Sequence, residues 1–135
     1  GEYCVGGHAH LLRGTHTLEQ CALRVITTVV SRPTDRTAIL DAGSKTFSSD
    51  LMGLEGYGLI LEYPQARIYH LSEEHGHVDF TDCPEKPAIG ERVTVIPNHC
   101  CPVSNLFDQI IGARNRDDQE KVEVTWSVAA RGAVQ

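Results

Sequence analysis

The chain is 135 residues long, carries a formal net charge of −6 with acidic and basic side chains interspersed, and is 41% hydrophobic but only 6% aromatic. That length suffices for one domain with a real core, burying about two thirds of its unfolded surface. No apolar run reaches the roughly 18 residues of a membrane span, and no basic stripe suggests a nucleic-acid partner.

Five cysteines, an odd number with no CxxC pair, read as thiols kept reduced in the cytoplasm rather than as a disulfide framework. No secretory leader pattern opens the chain at Gly1. Residues 1–14 are rich in glycine and histidine, with a short strand expected at Tyr3 to Val5 before the Gly6–Gly7 turn. His8 and His10 repeat an i, i+2 spacing. If extended they share a face and can bind a transition metal; as loop histidines they are solvated or hydrogen-bonded. Thr15 or Thr17 can cap a helical turn over Leu18 to Ala22. Leu23 to Val30, β-branched almost throughout, is the strongest strand, and Thr37 to Leu40 its expected antiparallel neighbour. The chain then leaves through Gly43 to Lys45, where the GxxxxGK[ST] phosphate-loop spacing is absent. Lys45 can be posed as a Schiff-base lysine, but reads better as solvated or ion-paired. Residues 47–58 form a long loop. Tyr57 to Tyr63 is a strand stopped by Pro64, and Ala66 to Leu71 is expected to pair with it as a hairpin.

Residues 72–77 concentrate polarity. There Glu73 and Glu74 abut His75, an arrangement that can tune an acid–base imidazole or simply make a polar turn. Residues 81–90 are a proline-punctuated linker into a strand from Arg92 to Ile96, which Pro97 stops. The segment Asn98-His99-Cys100-Cys101 follows, closed by Pro102. In extended chain, His99 and Cys101 converge while Cys100 faces away, and imidazole plus thiolate suits Zn²⁺. Two ligands leave positions open, as a catalytic rather than a structural zinc needs. The bland alternative is an inert cysteine pair beside a hydrogen-bonded histidine. A helical turn is expected over Val103 to Phe107, a strand from Asp108, a solvated loop at 115–120, and a half-buried alternating strand from Lys121 to Val128. The sum is a mainly β single domain, Greek-key or barrel-like, with one or two short helices.

The blocks Arg32 to Asp50, Leu71 to Val78, Gly90 to Asp108 and Trp126 to Gly132 together resemble the C-terminal domain of the D-serine dehydratase and D-threonine aldolase-like enzymes, of the alanine-racemase-fold class. The resemblance covers residues from about Cys21 to Gly132. It implies that the chain (1–135) is the β domain of a two-domain enzyme. The N-terminal barrel of such an enzyme, roughly 200 residues or more, carries pyridoxal phosphate on its own lysine, and Lys45 does not match that lysine. It also implies a divalent ion held by His99 and Cys101. Cysteine at the second position points to zinc and the dehydratase-like branch, where aldolase-like relatives usually carry Asp. His75 falls in a family block and is the candidate catalytic residue that the resemblance offers. Substrate and partners follow: a β-hydroxy-D-amino acid, the chain's own N-terminal barrel and a homodimer, with no cofactor group in this fragment, which alone is expected to be inactive. Retro-aldol cleavage or racemisation are the alternative chemistries. Rival classes are a free-standing structural zinc domain, closed by His8, His10, His75 or His77, and a redox module using Cys100 and Cys101.

Overall fold

A computed structural model describes residues 4–116 and 119–133; Tyr3 and the tip of the expected 115–120 loop lie outside them. In chain order the elements are α1 (His8–Leu12), β1 (Val25–Thr34), β2 (Thr37–Leu40), α2 (Ser44–Phe47), β3 (Gly58–Ile60), β4 (Arg67–Leu71), β5 (Gly76–Asp79), β6 (Arg92–Pro97), α3 (Cys100–Leu106), β7 (Gln109–Arg116) and β8 (Gln119–Ser127). The fold is mainly β and barrel-like, with three short helices where one or two were expected.

Six strands form one antiparallel sheet in the order β3-β6-β1-β2-β5-β4. Successive side chains of a strand point to opposite faces, so alternation sorts them. Val25, Thr27 and Val29 of β1 turn inward while Ile26 and Val30 turn outward. Ala38 and Leu40, Ile60, Ile68, Val78, Val93 and Val95 fill the interior with Phe47, Phe80 and Val103. Thr27 is a buried polar exception. It donates to Asp41 at 2.6 Å, and the same carboxylate oxygen accepts from the Thr28 N–H at 2.7 Å. Ala9, Cys21, Ile96 and Cys100 are also buried, outside that cluster.

The expected hairpin between 57–63 and 66–71 is corrected. β3 pairs with β6 and β4 with β5, so the two runs are the opposite edges of the sheet. They do meet where the sheet curls, through a Tyr57 N–H to Ile68 carbonyl bond of 3.1 Å. The sheet is thus nearly closed, which shelters the edges that β sheets otherwise expose.

Beside the barrel, Tyr63 stands edge-on to Phe80, with ring centroids 5.3 Å apart, and donates to Glu91 at 2.7 Å. Burial, then the bond to Glu91 and its charge, push the Tyr63 pKa up to about 12. An ultraviolet titration is therefore expected to find one tyrosine titrating near 12. The folded state holds that proton more tightly than the unfolded one, so the associated stability is full below pH 10 and is lost as pH rises towards 12. A midpoint near 10 for every tyrosine would contradict the contact.

β7 and β8 pair only with each other among the described residues. The expected half-burial of 121–128 is not found: residues 121–127 are all exposed, Val122 and Trp126 at 67% and 55%. Their alternation meets no covering surface among the described residues. Trp126 instead lies across Gly112, where a Cβ would sit 2.7 Å from its ring. No helix among the described residues is long and apolar enough to cross a membrane.

Candidate metal centre

The strand β6 ends at Pro97 and the chain turns at once into α3. The expected convergence of His99 and Cys101 assumed extended chain through both. Only His99 is extended, at φ −133° and ψ 108°, because helix begins at Cys100. Pro102, expected as a stop, sits in the first turn, where its missing N–H would have had no helical partner anyway. Cys100 is buried and its thiol donates to the Gly6 carbonyl at 2.9 Å, whereas Cys101 is exposed. The two neighbouring thiols thus face opposite ways, and all five cysteines are free.

The His99 ring meets a residue that sequence reading did not single out. Asp50 Oδ2 lies 2.6 Å from His99 Nδ1, across 49 positions of chain. The hydrogen bond from His99, then that from the Met52 N–H, hold the Asp50 carboxyl below its ordinary pKa. Asp50 therefore accepts, Nδ1 carries the proton, and in the neutral imidazole the ring lone pair falls on Nε2.

The loop that presents Asp50 is strained. Ser48 and Met52 adopt φ of 60° and 53°, left-handed values for side chains that disfavour them. Each costs about 1 kcal/mol or more, while an exposed ion pair returns only about 0–1 kcal/mol. Asp50 is indeed well exposed, its side chain at 45%. The loop is held from within by Asn98, which is 2% exposed. Its amide nitrogen donates to the carbonyls of Leu51 at 3.2 Å and Gly56 at 2.8 Å. With both N–H groups so used, Oδ1 faces His8 Nδ1 at 3.1 Å, and His8 must be the donor. Burial first lowers the His8 pKa, with the Asn98 bond opposing, and the Nδ1–H donor is present in either protonation state.

The remaining expected residues lie elsewhere. His8 and His10 sit on α1, not on an extended chain, so their rings diverge: His8 goes to Asn98 and His10 packs edge-on to His16, centroids 4.8 Å apart. His75 occupies the β4–β5 turn, exposed, and among the described residues its ring has no hydrogen-bond partner. The carboxylate beside it is committed: Glu74 binds Lys45 at 2.5 Å, which also answers the question of Lys45. His77 lies opposite His70 on the neighbouring strand, ring centroids 5.0 Å apart.

Among the described residues, no group of three or more His, Cys, Asp or Glu is arranged to hold a metal ion. This weighs against a closed four-ligand structural site. What remains is a pair of soft-to-borderline donors at the start of α3, His99 and Cys101, with a carboxylate on the far nitrogen of the imidazole. Such a carboxylate is the usual companion of a metal-bound histidine, so the donor set fits a divalent ion held by few protein ligands.

Comparison with known proteins gives the following. Residues 22–113 match the family described as "Putative serine dehydratase domain". An uncharacterized protein of Mycobacterium tuberculosis is 40% identical over 116 residues, covering 82% of this chain and 84% of its own length. The 3-hydroxy-D-aspartate aldolase of Paracoccus denitrificans is 33% identical over 82% of this chain, but only 26% of the enzyme. In structure, D-threonine aldolase from Filomicrobium marinum superimposes with a TM-score of 0.80 at 29% identity, over 100% of this chain and 36% of that one. The chain thus spans 84% of a mycobacterial relative and about a quarter to a third of the named enzymes.

Proposed function

The chain belongs to the family described as "Putative serine dehydratase domain", and from that premise we propose that it is the C-terminal β domain of a two-domain lyase using pyridoxal phosphate. The substrate is a β-hydroxy-D-amino acid and the reaction a D-serine dehydratase-like elimination. One observation carries the reading: the whole chain superimposes on 36% of a D-threonine aldolase, so the larger part of that enzyme has no counterpart here. The exposed β7–β8 ribbon agrees. An isolated two-stranded ribbon is marginal in water, and Ile111, Val122, Val124 and Trp126 offer apolar surface for a barrel of the same enzyme, itself a homodimer.

In this reading His99 and Cys101 hold the divalent ion, with cysteine favouring zinc over a harder metal. Bound there, the ion supplies Lewis acidity toward the β-oxygen, while pyridoxal phosphate in the barrel supplies an electron sink. The chain's own residues position. Asn98 pins the 51–56 loop, the loop carries Asp50, and Asp50 orients His99. The same residues serve retro-aldol cleavage equally well; the thiol at Cys101 is what favours dehydration. Lys45, ion-paired to Glu74, takes no part, and His75 is a substrate-facing candidate only through its family block.

The test uses the two-domain enzyme. Cys101→Ala is expected to lose most bound zinc and to slow D-serine turnover by about 100-fold or more, the size of several kcal/mol of lost charge stabilisation. Unchanged zinc content and rate would sink the reading.

A second reading is favoured by the mycobacterial relative, 84% of which this chain covers: a short protein of the same make-up, working without a fused barrel. Such a domain would hold zinc tightly and remain monomeric when purified alone, whereas the lyase domain alone would bind zinc weakly and self-associate through the surface its barrel covers.

A further inference from the structure

We propose that Asp50 is a positioning residue for the metal centre: by accepting the Nδ1 proton of His99 it fixes the imidazole tautomer and aim that present Nε2 to a divalent cation. The inference rests on the assignment of His99 as a ligand, and adds to it a residue 49 positions away that closes one of the resembling blocks but carries no assigned role. Three features of the geometry point to it.

The contact is short, 2.6 Å, and made to the ring nitrogen that leaves Nε2 as the donor. Asp50 is also itself held in place. Its Oδ1 accepts from the Met52 N–H at 2.9 Å, its own N–H donates to Ser48 Oγ at 3.2 Å, and the loop carries left-handed Ser48 and Met52 on either side. Asn98, one residue before His99, clamps the same loop, so ligand and support are fixed by neighbouring residues of one segment.

The experiment is zinc affinity of the 135-residue chain by chelator competition, with the imidazole ¹⁵N spectrum of His99 recorded before metal is added. Asp50→Ala is expected to weaken zinc binding about 10- to 100-fold and to replace a single Nδ1–H tautomer by a mixture. Asp50→Asn keeps the acceptor for Met52 and a neutral acceptor for His99, and is expected to lose less. It decides in the same way should the alanine variant not fold. Wild-type affinity in Asp50→Ala, with His99→Ala weakened, would overturn the positioning role and leave the metal reading standing. Wild-type affinity in His99→Ala would remove the metal reading itself. A cobalt-loaded chain whose visible spectrum changes coordination type in Asp50→Asn would show Asp50 to be a ligand, which also overturns the proposal.

Discussion

Gly43→Ala is expected to cost on the order of 4 kcal/mol or more, enough to leave the domain largely unfolded at moderate temperature. Nothing about the backbone torsions forbids the change: Gly43 has φ −116° and ψ −150°, extended values open to any residue. Space forbids it. A Cβ there would lie 2.3 Å from the Ser72 carbonyl oxygen, 2.5 Å from that of Glu73 and 2.5 Å from the His75 nitrogen. All three are backbone atoms of the β4–β5 turn, so no side chain can swing aside. The contact is close because the start of α2 is capped by that turn: Ser44 N–H donates to Ser72 O at 2.8 Å and Lys45 N–H to Glu73 O at 3.1 Å. Pushing the turn away breaks both bonds and uncovers Phe47, which is buried in the core. Gly14→Ala is the control. Gly14 has φ +69° but nothing within 4 Å, so only the left-handed torsion is charged, about 1–2 kcal/mol. Thermal and denaturant melts followed by circular dichroism measure both. Equal losses at the two positions would refute the steric account.

The contrast between those glycines bears on what a sequence makes legible. The barrel strands were readable because their burial is periodic: Val25 to Val30 and Arg92 to Val95 alternate in and out as β-branched runs should. Thr37 to Leu40 is found as expected, residue for residue. Partnership between strands was not readable from adjacency. Tyr57 to Tyr63 and Ala66 to Leu71 are neighbours in sequence, yet each finds its ladder elsewhere, because curling the sheet brings its two edges together and leaves room for little more than one bond at the seam. α1 was missed for a related reason. A five-residue helix has too little propensity to announce itself, and this one is secured by tertiary contact, with Ala9 buried and its N–H directed at the Asn98 carbonyl. Of the proposed metal centre, His99 and Cys101 stand out in the sequence as residue types at a spacing. Asp50 does not, since its partner lies far along the chain and its own neighbourhood reads as a serine-rich turn. The β8 alternation was legible as a pattern but not as exposure, since no surface among the described residues covers it.

Asn98→Ala is expected to destabilise the chain by about 2–4 kcal/mol and, separately, to release the Asp50 loop. The stability term follows from three hydrogen bonds lost at one buried side chain, each worth about 0.5–1.5 kcal/mol net, with the unfilled volume added. The release follows from which groups are orphaned. The carbonyls of Leu51 and Gly56 lose the buried donor that holds their loop, which leaves the exposed Asp50–His99 bond to offset the torsional strain at Ser48 and Met52. Hydrogen exchange separates the two effects. Amides of residues 48–56 are expected to exchange faster by a larger factor than the global loss of stability explains, while those of β1 and β6 change only by that global factor. If loop and barrel amides accelerate alike, Asn98 is a packing residue and no more. If the loop alone accelerates, the alanine variant should also bind zinc more weakly than its stability predicts, because the carboxylate that aims His99 then spends part of its time away from the ring.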